Sequence, residues 1–92
     1  MIVTFRQKRL AEFFAGEQQK EWATIRSQLH NKLAILDAAA ILEDLRVPPG
    51  NRLEKLVGDR AGQHSIRVND QFRLCFHWTT KGPKNVEIVD YH

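Results

Sequence analysis

Apolar positions change period once along this chain, near its middle, and the change separates a helical first half from a β-rich second half. Ile2 to Phe5 is short and rich in apolar, β-branched residues, which predicts a strand. Leu10, Phe13 and Phe14 then fall at helical spacing and stop at Gly16, a residue suited to the left-handed conformation that ends a helix. From about Glu21, Trp22, Ile25, Leu29, Leu33 and Leu36 step by three and four and draw the stripe of an amphipathic helix. Asp37 precedes Ala38-Ala39-Ala40-Ile41-Leu42, where it either caps a short extra helical turn or lies inside a continuing helix; the pattern leaves both open. Val47-Pro48-Pro49-Gly50-Asn51 then breaks regular structure, because proline lacks a donor and drives the preceding residue out of the helical region.

Beyond the prolines the period is two. Gln63 to Val68 sets His64, Ile66 and Val68 against Gln63, Ser65 and Arg67; Phe72 to Trp78 sets Phe72, Leu74, Phe76 and Trp78 against Arg73, Cys75 and His77. A two-residue turn at Asn69-Asp70 would pair Ile66 with Arg73 and mix apolar with charged side chains on one face. A three-residue loop, Asn69-Asp70-Gln71, pairs Val68 with Phe72 and Ile66 with Leu74 and keeps the large apolar residues together. Lys81-Gly82-Pro83 predicts the next turn, and Asn85 to Tyr91 a last strand with Val86 and Ile88 inward and Glu87, Val89 and Tyr91 outward. The fold class is α+β: an N-terminal strand, two to three helices, then three mostly antiparallel strands with the helices on one sheet face.

Composition narrows the function classes. A length of 92 residues suits one domain, 1–92, with a modest core. Fourteen Lys and Arg against 11 Asp and Glu give a net charge of +3 and a pI near 9.4, which favours an anionic partner. The single cysteine, Cys75, excludes an internal disulfide. With no apolar stretch near the ~20 residues needed to span a bilayer, no membrane role is expected, and the expected location is the cytoplasm. His30, His64, His77 and His92 are scattered, and no Cys or His pair has the close spacing of structural zinc ligands, so no zinc site is expected; no cofactor is expected either.

Candidate chemistry gathers where the last predicted strand runs out. Asp90-Tyr91-His92 puts a carboxylate, a phenol and an imidazole in consecutive positions, three groups able to accept, orient or deliver a proton. Parity sets Tyr91 on the same sheet face as Arg67 and Arg73, where guanidinium donors suit a phosphate. Asp90 points the other way in a regular strand and joins them only if the chain leaves the sheet by that point. His64 falls on the apolar face as a core or helix-contacting residue, Trp22 and Trp78 read as core, and His77 lies toward the far end of its strand.

Asn51-Arg52-Leu53-Glu54-Lys55-Leu56, the run Gly58 to Leu74 (GDRAGQHSIRVNDQFRL) and Asp90-Tyr91-His92 together resemble the HigB branch of the RelE toxin superfamily, small killer proteins of bacterial toxin–antitoxin modules. The resemblance implies helices on one face of a mostly antiparallel sheet, with the other face as active site. It implies a ribosome-dependent endonuclease that cuts messenger RNA in the aminoacyl site, with a preference for adenosine-containing codons, and without a metal. The ribose hydroxyl beside the scissile phosphate attacks it, a base takes that proton, a cation stabilises the phosphorane and an acid protonates the leaving oxygen. Arg73 matches the family's phosphate arginine, and Asp90, Tyr91 and His92 its terminal catalytic cluster. Glu54 stands where some HigB toxins carry a catalytic histidine, and either serves as base or pairs with Lys55 or Arg52 on the surface. Lys55, Arg60 and Arg67 are expected RNA or ribosome contacts. The implied partners are a HigA-like helix-turn-helix antitoxin, the ribosome with its messenger, and operator DNA bound through the antitoxin complex. Other classes remain open: a ParE-like toxin that inhibits DNA gyrase without cleaving RNA, a non-catalytic interaction domain, and a basic nucleic-acid-binding module that does no chemistry.

Overall fold

The computed structural model describes residues 1–91, so the proton-transfer role expected of His92 lies outside the described residues. Helix α1 (Lys8–Phe14) buries Leu10 and Phe13 and closes at Ala15, with Gly16 following at φ 109°. The long apolar stripe then forms in two pieces. Lys20–Ile25 is a 3-10 turn and α2 (Arg26–Ala38) is the helix proper. In a 3-10 turn positions three apart eclipse one another, and this turns buried Trp22 edge-on to Phe13 at 5.7 Å before Leu29, Leu33 and Leu36 carry the stripe inward, each fully buried. Asp37 lies inside α2. Its carboxylate accepts the Ile2 N–H at 2.8 Å, so it tethers the N-terminal segment and caps no new helix. After Ala39 the chain makes a separate 3-10 turn, Leu42–Arg46, whose Asp44 Oδ2 reaches back to accept from the N–H groups of Ala40 and Ile41 just before it.

Four strands form one antiparallel sheet in sequence order: β1 (Glu54–Lys55), β2 (His64–Arg67), β3 (Phe72–Thr79) and β4 (Gly82–Asp90). β1 was not expected from the pattern, since two residues are too few for alternation to register. The β2–β3 hairpin has the register required by segregation of charge: Ile66 faces Leu74 and Arg67 faces Arg73, with Val68 N–H donating to the Phe72 carbonyl at 2.9 Å. Asn69 Oδ1 accepts from the N–H groups of Gln71 and Phe72 and shapes the loop. The next turn sits one position earlier than expected, with Thr79 facing Gly82 across Thr80-Lys81. Gly82 is already strand, at φ 127°, and a Cβ there would lie 2.2 Å from the Met1 carbonyl oxygen.

Past that turn β4 carries a bulge. His77 faces Lys84 while Cys75 faces Glu87, so β4 holds one residue more than β3 between these pairs, and Asn85 takes φ 54° there. The expected N-terminal strand, Ile2 to Phe5, runs beside this irregular stretch and joins the sheet through one parallel bridge, Phe5 to Val86. Val3 N–H to the Pro83 carbonyl, Val86 N–H to the Thr4 carbonyl and Arg6 N–H to the Val86 carbonyl complete the attachment. The bulge breaks the even spacing that a longer parallel ladder needs. Gln7 then extends the edge with its side chain, accepting from Ile88 N–H at 2.8 Å and donating to the Ile88 carbonyl at 3.2 Å.

The helices cover one sheet face. Leu10, Phe13, Trp22, Leu29, Leu33 and Leu36 meet Ile66, Val68, Leu74, Phe76, Val86 and Ile88 in a single cluster, with Leu45 closing one end. Each such side chain contributes about 1.5–3 kcal/mol relative to exposure. No helix among the described residues is long and apolar enough to cross a membrane.

Candidate active site

The face turned away from the helices collects the polar side chains of all four strands, and Arg73 is fixed at its centre. Although charged, Arg73 is only 8% exposed. A buried charge is tolerated when its donors are matched, and here Arg73 Nε donates to Ser65 Oγ at 2.8 Å and Nη2 to the Arg52 carbonyl at 2.6 Å. Glu54 Oε1 approaches Nη2 at 3.8 Å, and the guanidinium carbon stands 5.6 Å from the Tyr91 ring centroid, a cation–π contact. Three backbone features set this up. Ser65 faces Cys75 and Arg73 faces Arg67, so Ser65 lies diagonally beside the arginine; Glu54 pairs with Ser65; and Arg52, at φ 46°, ends the 3-10 turn Pro49–Asn51 with its carbonyl aimed at the sheet.

That turn is pinned by Asn51, which is fully buried. Its side-chain amide donates to the Leu45 and Val47 carbonyls at 3.2 Å each and its Oδ1 accepts from Lys32 Nζ at 2.6 Å. Burial lowers the Lys32 pKa, and the charge of Arg67 lowers it further.

Beside Arg73 an open groove of about 290 Å³ is lined by Glu54, Lys55, Leu56, Val57, Asp59, Arg60 and Tyr91. Of its two cations, Lys55 and Arg60, Arg60 is held by Glu87, whose Oε1 accepts from Nη1 at 2.5 Å. This bond raises the Arg60 pKa still further, against the opposing effect of partial burial. Arg6 Nε reaches the other Glu87 oxygen at 3.4 Å. Cys75, wholly buried opposite Glu87, has its thiol pKa raised first by burial.

Of the residues expected in a site, Arg73, Tyr91, Glu54, Lys55 and Arg60 come together. Arg67 does not line the groove: it shares the sheet face but its Nη2 pairs with Asp70 in the hairpin loop, a partner only three residues away. Asp90 is still in β4 and faces Phe72, so it turns to the side opposite Tyr91, where its Oδ2 accepts from Gln71 Nε2 at 3.0 Å. The strand does not bend away early enough to bring it round. His64 stacks on Phe76 at 6.4 Å between ring centroids, as expected of a residue on the apolar face. Ser65, Glu87 and Asn51 were missed as site residues. For Ser65 and Glu87 the signal was present, because both share the parity of Arg73 and Tyr91; for Asn51 it was not, since it lies in a segment without period. No cluster of three or more His, Cys, Asp or Glu side chains among the described residues is disposed to hold a metal ion.

Comparison with known proteins bears on the family and the fold. A family model described as the RelE-like toxin of the type II toxin–antitoxin system HigB matches residues 3–92. The chain is 45% identical to Toxin HigB-1 of Vibrio cholerae over 80 residues, 85% of this chain and 84% of that one. It is 38% identical to an uncharacterized protein of Haemophilus influenzae over 58 residues, 63% of this chain and 57% of that one. A chain of the YoeB-YefM complex from Staphylococcus aureus shares the fold, with a TM-score of 0.62 and 20% identity over all of this chain and 95% of the other. The chain belongs to the HigB-like toxins, the RelE-like toxin family of type II toxin–antitoxin systems.

Proposed function

We propose that this toxin is a ribonuclease that cuts messenger RNA in the aminoacyl site of the translating ribosome. The observation that carries the reading is Arg73: a guanidinium 8% exposed, locked by Ser65 and the Arg52 carbonyl, at the edge of a groove that also holds Glu54 and Tyr91. Preorganised donors of this kind stabilise charge that develops in a transition state without reorganising as it forms. In the proposed reaction the ribose hydroxyl beside the scissile phosphate attacks phosphorus as Glu54, 53% exposed, takes its proton. Arg73 neutralises the phosphorane oxygens. The bond to the leaving ribose oxygen breaks as His92 or the Tyr91 phenol protonates it, leaving a cyclic phosphate on one product and a hydroxyl on the other. Asp90 receives no proton-transfer step, because its carboxylate engages Gln71 on the other side of the strand. Lys55 and Arg60 contact the RNA backbone and ribosomal RNA, and the step consumes no metal or cofactor.

The open groove has little means of ordering a flexible RNA, so the ribosome supplies the positioning; the toxin thus works in the cytoplasm. Its partner is a HigA-like helix-turn-helix antitoxin, and the complex binds operator DNA through that antitoxin, in keeping with the type II family. The test compares purified toxin on ribosomes programmed with a defined aminoacyl-site codon against the same messenger free in solution. Cutting on the ribosome and almost none on free messenger is expected. Efficient cutting of free messenger overturns ribosome dependence, and no cutting in either, with loss of DNA gyrase supercoiling, overturns the nuclease reading.

A further inference from the structure

The carboxylate of Glu87 has no part in the reaction above, yet it is one of the most enclosed charges on the site face, with its side chain 10% exposed. One oxygen accepts from Arg60 at 2.5 Å and the other meets Arg6 at 3.4 Å. Two cations therefore converge on one anion. Arg6 is the more exposed of the two, its side chain at 65%, whereas Arg60, at 34%, is the one that lines the groove. Arg60 is restrained twice more: Nη1 also donates to Gln63 Oε1 at 3.2 Å, and its backbone lies in the 3-10 turn Gly58–Arg60, closed by Ala61 N–H on the Gly58 carbonyl. Across the groove wall stands Tyr91, and beyond it Arg73. The site thus presents two guanidiniums, each fixed from behind by a buried acceptor: Ser65 for Arg73 and Glu87 for Arg60.

We infer that Glu87 is a positioning residue that holds Arg60 as the second guanidinium of a two-arginine cradle for the RNA phosphate. The inference rests on the ribonuclease reading and gives Arg60 a defined task within it. A free arginine would meet the phosphate only after losing side-chain freedom, whereas a held one meets it already oriented. Electrostatics gives the positioning role a distinctive signature. Glu87→Gln keeps the side chain's shape but removes a negative charge from the site, so attraction for RNA does not fall; what is lost is the fix on Arg60.

On programmed ribosomes Glu87→Gln is expected to lower kcat about 10-fold or more with KM unchanged or smaller, since small misplacements of a reacting geometry cost rate before they cost binding. Damage confined to the fold would instead reduce the fraction of active toxin and lower the melting temperature without this split. Arg60→Lys, at a partly exposed position where the charge is kept, should give the same kcat loss and does not depend on tolerance of a change at Glu87. In an Arg60→Ala background Glu87→Gln should add less than about twofold, because residues acting as a unit are not additive. Parental kcat in Glu87→Gln or in Arg60→Lys, or an undiminished Glu87→Gln loss in the Arg60→Ala background, overturns the inference. Failure of the parent toxin itself to cut on programmed ribosomes overturns the ribonuclease reading instead, and is a separate outcome.

Discussion

Replacing Arg73 is the perturbation whose two effects separate most clearly. In Arg73→Ala the fork that faces the proposed phosphate disappears, and loss of one preorganised transition-state donor costs about 2.7–4 kcal/mol, or ~10² to 10³ in rate. The structure adds a second cost that a surface arginine would not carry. Ser65 is wholly buried and its Oγ accepts from Arg73 Nε; an alanine strands that hydroxyl, at about 1–3 kcal/mol of folding stability. The Arg52 carbonyl belongs to an exposed residue and can bond water instead. For a chain of this size, each kcal/mol lowers Tm by about 4–8 °C. Arg73→Lys keeps the charge but not the planar fork, so it still loses rate. Cleavage on programmed ribosomes measured beside thermal unfolding separates the effects: the double variant Ser65→Ala with Arg73→Ala should recover part of the lost Tm, because no hydroxyl is stranded, while remaining inactive. A folded Arg73→Ala or Arg73→Lys toxin cutting within a few-fold of the parent would refute the assignment of Arg73 to the phosphate.

Further expectations concern the other groups. Glu54→Gln should leave Tm within about 1–2 °C, since the residue is exposed and 3.8 Å from its partner, yet lower kcat by about 10² or more if it is the base; an unchanged rate moves the base elsewhere. His92→Gln should reduce cleavage by about 10² or more, and Tyr91→Phe by as much only if the phenol delivers the proton; full activity in both removes that segment from the chemistry. His64 supplies a pH test. Burial first, then the charges of Lys55 and Arg46, depress its pKa below the ordinary 6.5. The unfolded chain therefore binds this proton more readily, stability is complete above 6.5, and it falls as pH drops from there through the depressed value. His64→Phe, stacking on Phe76, should flatten that decline in Tm; the same slope in both proteins would show that His64 does not cause it.

The legible part of this fold was the part governed by parity. Segregation of Arg67 and Arg73 from Ile66 and Leu74 chose the hairpin loop, and the same alternation brought Tyr91 to the face of Arg73, because a sheet with one buried face tolerates no slip. What alternation could not reach was anything set by loops. Glu54 and Lys55 form too short a strand to show a period, and the Arg52 carbonyl that orients Arg73 depends on a left-handed residue and on Asn51 buried beneath it. Arg67 and Asp90 share residue types with the site but not its groove: a neighbouring aspartate takes the first, and strand parity turns the second away. Glu87 was correctly placed outward, yet its burial by two arginines from distant segments is a tertiary fact.

The extra residue near Asn85 reaches further than local irregularity. Had β4 matched β3 residue for residue beyond Lys84, Glu87 would stand opposite Leu74 and Val86 opposite Cys75, so the carboxylate would enter the hydrocarbon interior, Val86 would turn outward and Tyr91 would leave the face of Arg73. A slip that closed the bulge with the sequence unchanged would sink an unpaired carboxylate at a cost of several kcal/mol, a large share of what a domain of this size can spare. The apolar packing that buries Val86 and Ile88 therefore also fixes the side to which Glu87 and Tyr91 turn. Selection for a well-packed interior thus also holds the polar face of the sheet in its orientation.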